Sequence, residues 1–108
     1  MTPIQTEVQF NNAIQDGNLT VVKFYTNWCP DCRRLNTFIG DIMSEHQDKA
    51  WFEMNGEDFP ELAEEHAVRG VPSLLVYRNG KKIGHLHSKY AKTPEEVREF
   101  LAQFHQGA

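Results

Sequence analysis

Two side chains in this sequence can exchange electrons with one another: Cys29 and Cys32, the only cysteines among its 108 residues. They lie in TNWCPDCRRLNT (26–37), with Pro30 and Asp31 between them. Such a pair has three uses. It makes and breaks a disulfide with a partner, supplies two ligands of a zinc site, or staples the chain permanently. A staple closing so small a loop constrains the unfolded chain little. Zinc needs two more ligands, and with no second C-x-x-C these would be His85 and His87. Two histidines alternating along one strand face read first as partly exposed sheet residues.

Redox exchange asks for a setting that favours thiolate. A helix beginning at the cysteines supplies it, because its first turn has unpaired N–H groups and the positive end of the helix dipole. Three residues apart, the sulfurs lie on one side of that turn and can join. Cys29, nearer the tip, is expected to be the exposed nucleophile that attacks a substrate disulfide. Cys32 then resolves the mixed disulfide.

The elements needed to position this pair are legible around it. LTVVKFY (19–25) is an almost unbroken apolar run, as in a strand covered on both faces. Leu35, Phe38, Ile39, Ile42 and Met43 recur with helical spacing and predict one amphipathic helix after the cysteines. Thr6-x-x-Gln9 opens an earlier helix, with Phe10 and Ile14 facing inward and an end near Gly17. Residues 50–54 form a weaker strand, and 3–5 the weakest. Asp58 is expected to cap a short helix with Pro60 in its first turn and Phe59, Leu62 and Ala63 inside. Strands at 73–78 and 82–87 flank Asn79-Gly80, a hairpin turn signal. Thr93-Pro94-Glu95-Glu96 caps a last helix with Val97, Phe100, Leu101 and Phe104 on one stripe. The order (β)αβαβαββα describes a single α/β domain over 1–108.

Composition sets outer limits. A net charge of −4 offers no broad attraction to nucleic acid or acidic lipid. Arg69, Arg78, Lys81, Lys82, Lys89 and Lys92 are spread over loops and read as solvated surface. The first twenty residues show no basic start, long apolar stretch or cleavage site, and no apolar run is long enough to span a bilayer. The expectation is a soluble, cytoplasmic chain without a membrane partner, and in a reducing cytosol a lone C-x-x-C is catalytic or metal-binding rather than structural.

Trp28-Cys29-Pro30-Asp31-Cys32, then Arg69-Gly70-Val71-Pro72-Ser73-Leu74-Leu75-Val76-Tyr77, then Arg78-Asn79-Gly80-Lys81 resemble the thioredoxin family, and the spacing between these blocks fits over nearly the whole chain. The resemblance implies a thioredoxin fold with a central mixed sheet flanked by helices. It also implies a cis bond before Pro72, which packs on the cysteines. Val71 would offer its backbone to an extended substrate segment. Trp28 would border the docking surface, an alternative to its being an ordinary core aromatic, and Pro30 would sit with the docking residues. It implies a monomeric cytosolic disulfide reductase acting on disulfide-containing proteins or small molecules. Electrons would come from an NADPH-dependent, flavin-containing thioredoxin reductase. No separate cofactor and no metal would be needed beyond the Cys29–Cys32 disulfide.

The sequence departs from that family in several places. Asp31 stands where thioredoxins commonly have proline, and Pro30 where they have glycine; a carboxylate there should oppose thiolate formation. Six residues before the first cysteine, where similar proteins keep a buried acid thought to shuttle a proton, this chain has Lys23. Nineteen residues before Pro72, where they keep a lysine, it has Glu53. The two charges have exchanged places. A buried Lys23 is expected to pair with Glu53 across adjacent strands, with snorkelling to the surface as the alternative. If paired, Glu53 or a water held there could take the Cys32 proton. Thr37 replaces a helix-kinking proline, so the helix is expected to run straighter. The loop His87-Ser88-Lys89-Tyr90 is bulkier and more basic than the family's, which would narrow the range of substrates. Two other functions remain open: a glutaredoxin-like, glutathione-dependent reductase, and a thioredoxin-fold binding or zinc module without turnover.

Overall fold

The apolar run at 19–25 becomes β2 (Thr20–Tyr25), the middle strand of a five-stranded sheet. The computed structural model of the protein describes residues 1–105. In chain order the other elements are β1 (Thr2–Pro3), α1 (Glu7–Ile14), α2 (Pro30–Asn36), α3 (Ile39–Glu45), β3 (Ala50–Asn55), α4 (Pro60–Glu65), β4 (Ser73–Arg78), β5 (Lys81–Leu86) and α5 (Pro94–Leu101). A 3₁₀ turn at Ser88–Tyr90 joins the last strand to the last helix. The strands lie in the order β1-β3-β2-β4-β5; β1, β3 and β2 run parallel, while β4 is antiparallel to both β2 and β5.

The period-2 alternation of β2 sends its side chains to two cores. Val22 and Phe24 meet Phe10, Ile14, Leu62 and Ala63 beneath α1 and α4. On the opposite face, Val21 packs with Leu35, Ile39, Ile42, Val97 and Leu101 of α2, α3 and α5. A strand buried on both faces cannot alternate apolar and polar, hence the continuous run. The Asn79-Gly80 turn takes positive φ at both residues, 54° and 80°. Its two N–H groups donate to Asp16 and Ile14 carbonyls beyond and at the end of α1, and a Cβ on Gly80 would meet the Gln15 side chain at 2.8 Å. The positive φ is what favours glycine there, since the exposed Gln15 side chain can move aside.

Three local expectations need correction. The single helix after the cysteines is two. Thr37 Oγ1 donates to the Arg34 carbonyl at 2.7 Å, and the N–H groups of Thr37 and Phe38 reach back three residues, not four. Local side-chain bonding of this kind competes with the helical ladder, so the chain breaks between α2 and α3 without a proline and is not straighter. The periodicity carried across the break because Leu35, Ile39 and Ile42 all still reach the core. Second, the N-cap of α4 is Phe59, with no side-chain cap bond; Asp58 lies one residue earlier and donates its N–H to the Asn55 carbonyl. Third, Gln9 accepts from Gln5 N rather than closing a box on Thr6, although Thr6 caps α1 as expected. The box at Thr93 and Glu96 does close.

Candidate active site

The central strand β2 delivers the chain at its carboxyl end to the loop 26–28, which turns it into α2. Cys29 is the N-cap of that helix, in extended backbone, and Pro30 follows at the first helical position. Proline suits that place, since its preset φ is helical and the N–H it lacks would have no partner there. Cys29 Sγ accepts from the Cys32 N–H at 3.0 Å, as an oxygen does at an ordinary N-cap. Cys29 and Cys32 are joined in a disulfide, their Cα atoms 5.2 Å apart.

The expected contrast in exposure is absent. Cys29 is 7% exposed and Cys32 4%, so neither stands free. The cover comes from far along the chain: the Val71 carbonyl lies 3.6 Å from Cys29 Sγ, and the Val71–Pro72 bond is cis. Trp28 is the reverse case. At 87% exposed it is no core aromatic but an indole held out beside the disulfide. Pro30 is exposed too. A shallow groove of about 230 Å³ is lined by Val71 together with the apolar Ala63 and Val68 and the polar Thr26, Glu57 and Arg69. Val71 thus belongs both to the cover of Cys29 and to this groove, while Trp28 stands exposed one residue before Cys29.

Lys23 and Glu53 pair. They are register partners on β2 and β3, and Lys23 Nζ lies 3.1 Å from Glu53 Oε1. Lys23 is only 3% exposed and so does not snorkel; the Glu53 side chain is 30% exposed and touches water. A third member was not foreseen: Asn36 Oδ1, at the end of α2, accepts from Lys23 Nζ at 2.7 Å. An asparagine in a short helix, where its propensity is poor, was the available signal. The Tyr25 ring adds a face 5.5 Å from the ammonium. Burial, with Glu53 and then Asp58 adding their charge, pushes the Tyr25 phenol above its usual value.

Asp31 is more tightly held than its sequence setting suggests. Lys92 Nζ donates to its Oδ2 at 2.7 Å, and Arg34 Nη1 lies 3.7 Å from Oδ1. The hydrogen bond from Lys92 is the main reason its carboxyl titrates below the usual range, against a smaller opposing effect of desolvation. Nothing local to Asp31 points to a lysine 61 residues on. Lys82 also departs from simple solvation: its Nζ donates to the His66 carbonyl at 2.8 Å and lies 3.0 Å from His85 Nδ1. His85 and His87 stack on each other at 3.8 Å, and among the described residues no three His, Cys, Asp or Glu side chains gather as metal ligands. The Cys₂His₂ alternative is therefore not assembled. Nor is any described helix long and apolar enough to cross a membrane.

The family model for thioredoxin matches residues 2–103. The chain belongs to the thioredoxin family. Thioredoxin from Rickettsia typhi is 33% identical over 79 residues, covering 71% of this chain and 75% of that one. Glutaredoxin 3 of Danio rerio is 29% identical over 85 residues, 77% of this chain but 26% of that protein, so this thioredoxin-family chain spans about a quarter of its length. Among solved structures, Plasmodium falciparum thioredoxin superposes with a TM-score of 0.86 at 17% identity, covering 97% of this chain and all (100%) of that one. Thioredoxin from Trypanosoma brucei brucei gives 0.85 at 21% identity, covering 95% and 88%. At such identities these two likenesses establish the thioredoxin fold.

Proposed function

We propose that this protein is a thiol–disulfide oxidoreductase working as a disulfide reductase in the cytosol. The observation that carries the reading is the Cys29–Cys32 disulfide at the head of α2, with the Cys32 N–H on Cys29 Sγ and the Val71 carbonyl beside it. In the reduced protein the same N–H stabilises a Cys29 thiolate. That thiolate attacks one sulfur of a substrate disulfide; the substrate S–S bond breaks, and its leaving sulfur takes up a proton. Cys32, deprotonated, attacks Cys29 Sγ and releases the second substrate thiol. Two electrons have moved from protein to substrate, and the Cys29–Cys32 bond is restored. Glu53, solvent-touching and held by Lys23, receives the Cys32 proton directly or through water. Trp28, Pro30, Val71 and Pro72 dock the substrate, and a flavin-containing thioredoxin reductase returns the electrons from NADPH. The protein acts as a monomer and needs no metal or further cofactor.

The test is reduction of insulin disulfides with NADPH and thioredoxin reductase, in parallel with glutathione and glutathione reductase. Turnover with the first, and trapping of a substrate adduct on Cys29 by Cys32→Ser, are expected. Turnover with glutathione alone would favour the second reading, which takes its support from the similarity to glutaredoxin 3. Turnover with neither would refute both. Recovery of the protein in a membrane or periplasmic fraction would refute the placement in the cytosol.

A further inference from the structure

Asp31 stands between the two cysteines in the sequence and adds a carboxylate to the first turn of the helix that carries both sulfurs. Its carboxyl titrates below the usual range, chiefly through the Lys92 hydrogen bond, so protonation does not remove that charge where thiols titrate. A cation fixed against the carboxylate offsets it directly. Arg34, one turn along α2, lies 3.7 Å from Oδ1; the nearer cation is Lys92, at 2.7 Å from Oδ2. The Lys92 backbone is anchored on both sides. Ala91 before it is fully buried. Its own N–H donates to Glu96 Oε1 at 3.2 Å, the same oxygen that takes the Thr93 N–H and hydroxyl in the cap of α5. Glu96 thus faces the Lys92 backbone, and the ammonium points to Asp31.

We propose that Lys92 is a positioning residue for the reaction: anchored by the α5 cap, it pairs with the Asp31 carboxylate and makes Cys29 easier to ionise than a bare acid between the cysteines would permit. The proposal rests on Cys29 being the nucleophile. A carboxylate and an ammonium in contact act on a nearby thiolate as a dipole, whose field falls off faster than that of a lone charge. Arg34, being farther from the carboxylate, offsets less of it.

The reporter is the rate at which iodoacetamide alkylates the reduced protein between pH 5 and 9. Lys92→Met is expected to move the thiolate titration to higher pH and slow alkylation at pH 6 by about two- to five-fold, the factor an exposed ion pair carries. Lys92→Arg, which keeps the charge, should restore the wild-type profile. In an Asp31→Asn background, where nothing holds the ammonium in place, Lys92→Met should change the rate by less than about two-fold. A wild-type profile for Lys92→Met overturns the proposal, as does an equal slowing with and without Asp31. The assay needs no substrate or electron donor, so a failed insulin assay would sink the reductase reading while leaving this measurement readable.

Discussion

Removing Glu53 and removing Lys23 should have very different consequences, and the difference follows from which partner is buried. Lys23 is 3% exposed, with Glu53 Oε1 at 3.1 Å and Asn36 Oδ1 at 2.7 Å as its polar partners. At an effective dielectric of about 20 the gross attraction across 3.1 Å is roughly 5 kcal/mol. Breaking a fully buried pair costs about 3–5 kcal/mol because one charge is stranded. Here Asn36 still holds the ammonium, and the glutamine of Glu53→Gln can still accept from it, so about 2 kcal/mol is expected. Lys23→Met leaves no stranded charge: Glu53, 30% exposed, turns to water, and an unbranched apolar side chain fills the lysine's place. It should fall within about 1 kcal/mol of wild type, on either side. Urea unfolding of the oxidised protein reads this directly. With a slope of about 1.3 kcal/mol/M, Glu53→Gln should lower the midpoint by roughly 1.5 M. In a Lys23→Met background the same substitution should cost less than about 0.5 kcal/mol, since the charge it strands is gone. If Lys23→Met proves as damaging as Glu53→Gln, or if Glu53→Gln is silent, the pair is not what holds the buried ammonium.

Trp28→Ala removes an 87% exposed ring, so stability should stay within about 0.5 kcal/mol while KM for a protein disulfide rises several-fold; an unchanged KM would take Trp28 out of the docking surface. Burial, reinforced by Lys82 and His87, brings the His85 imidazole down from 6.5 to about 4. The folded protein therefore keeps it neutral where the unfolded chain takes a proton, and its contribution is complete above pH 6.5 and lost as pH falls toward 4. After allowance for its solvent contact this amounts to about 1 kcal/mol. Tm measured from pH 7.5 to 4 should fall less steeply in His85→Gln than in wild type, with His66, lowered mainly by burial, still contributing; parallel curves would refute it.

Where neighbours along the chain settle the matter, the residues alone were enough. A C-x-x-C pair closes within one turn, Asn79-Gly80 makes a hairpin wherever two strands need one, and Thr93 with Glu96 caps a helix from three residues away. The exchange of Lys23 with Glu53 was readable because both family positions are defined by counting, and desolvation leaves a buried lysine few options. Other features depend on what the sheet brings together. Cys29 is covered because Val71, 42 residues on, is carried over it, and Asp31 is paired because the cap of α5 points Lys92 at it from 61 residues away. Asn36 joins Lys23 only once α2 ends above β2. Local rules extend about one helical turn, whereas the surroundings of a thiol or a carboxylate are set by strand order and loop path, which bring distant residues within a hydrogen bond's length of each other.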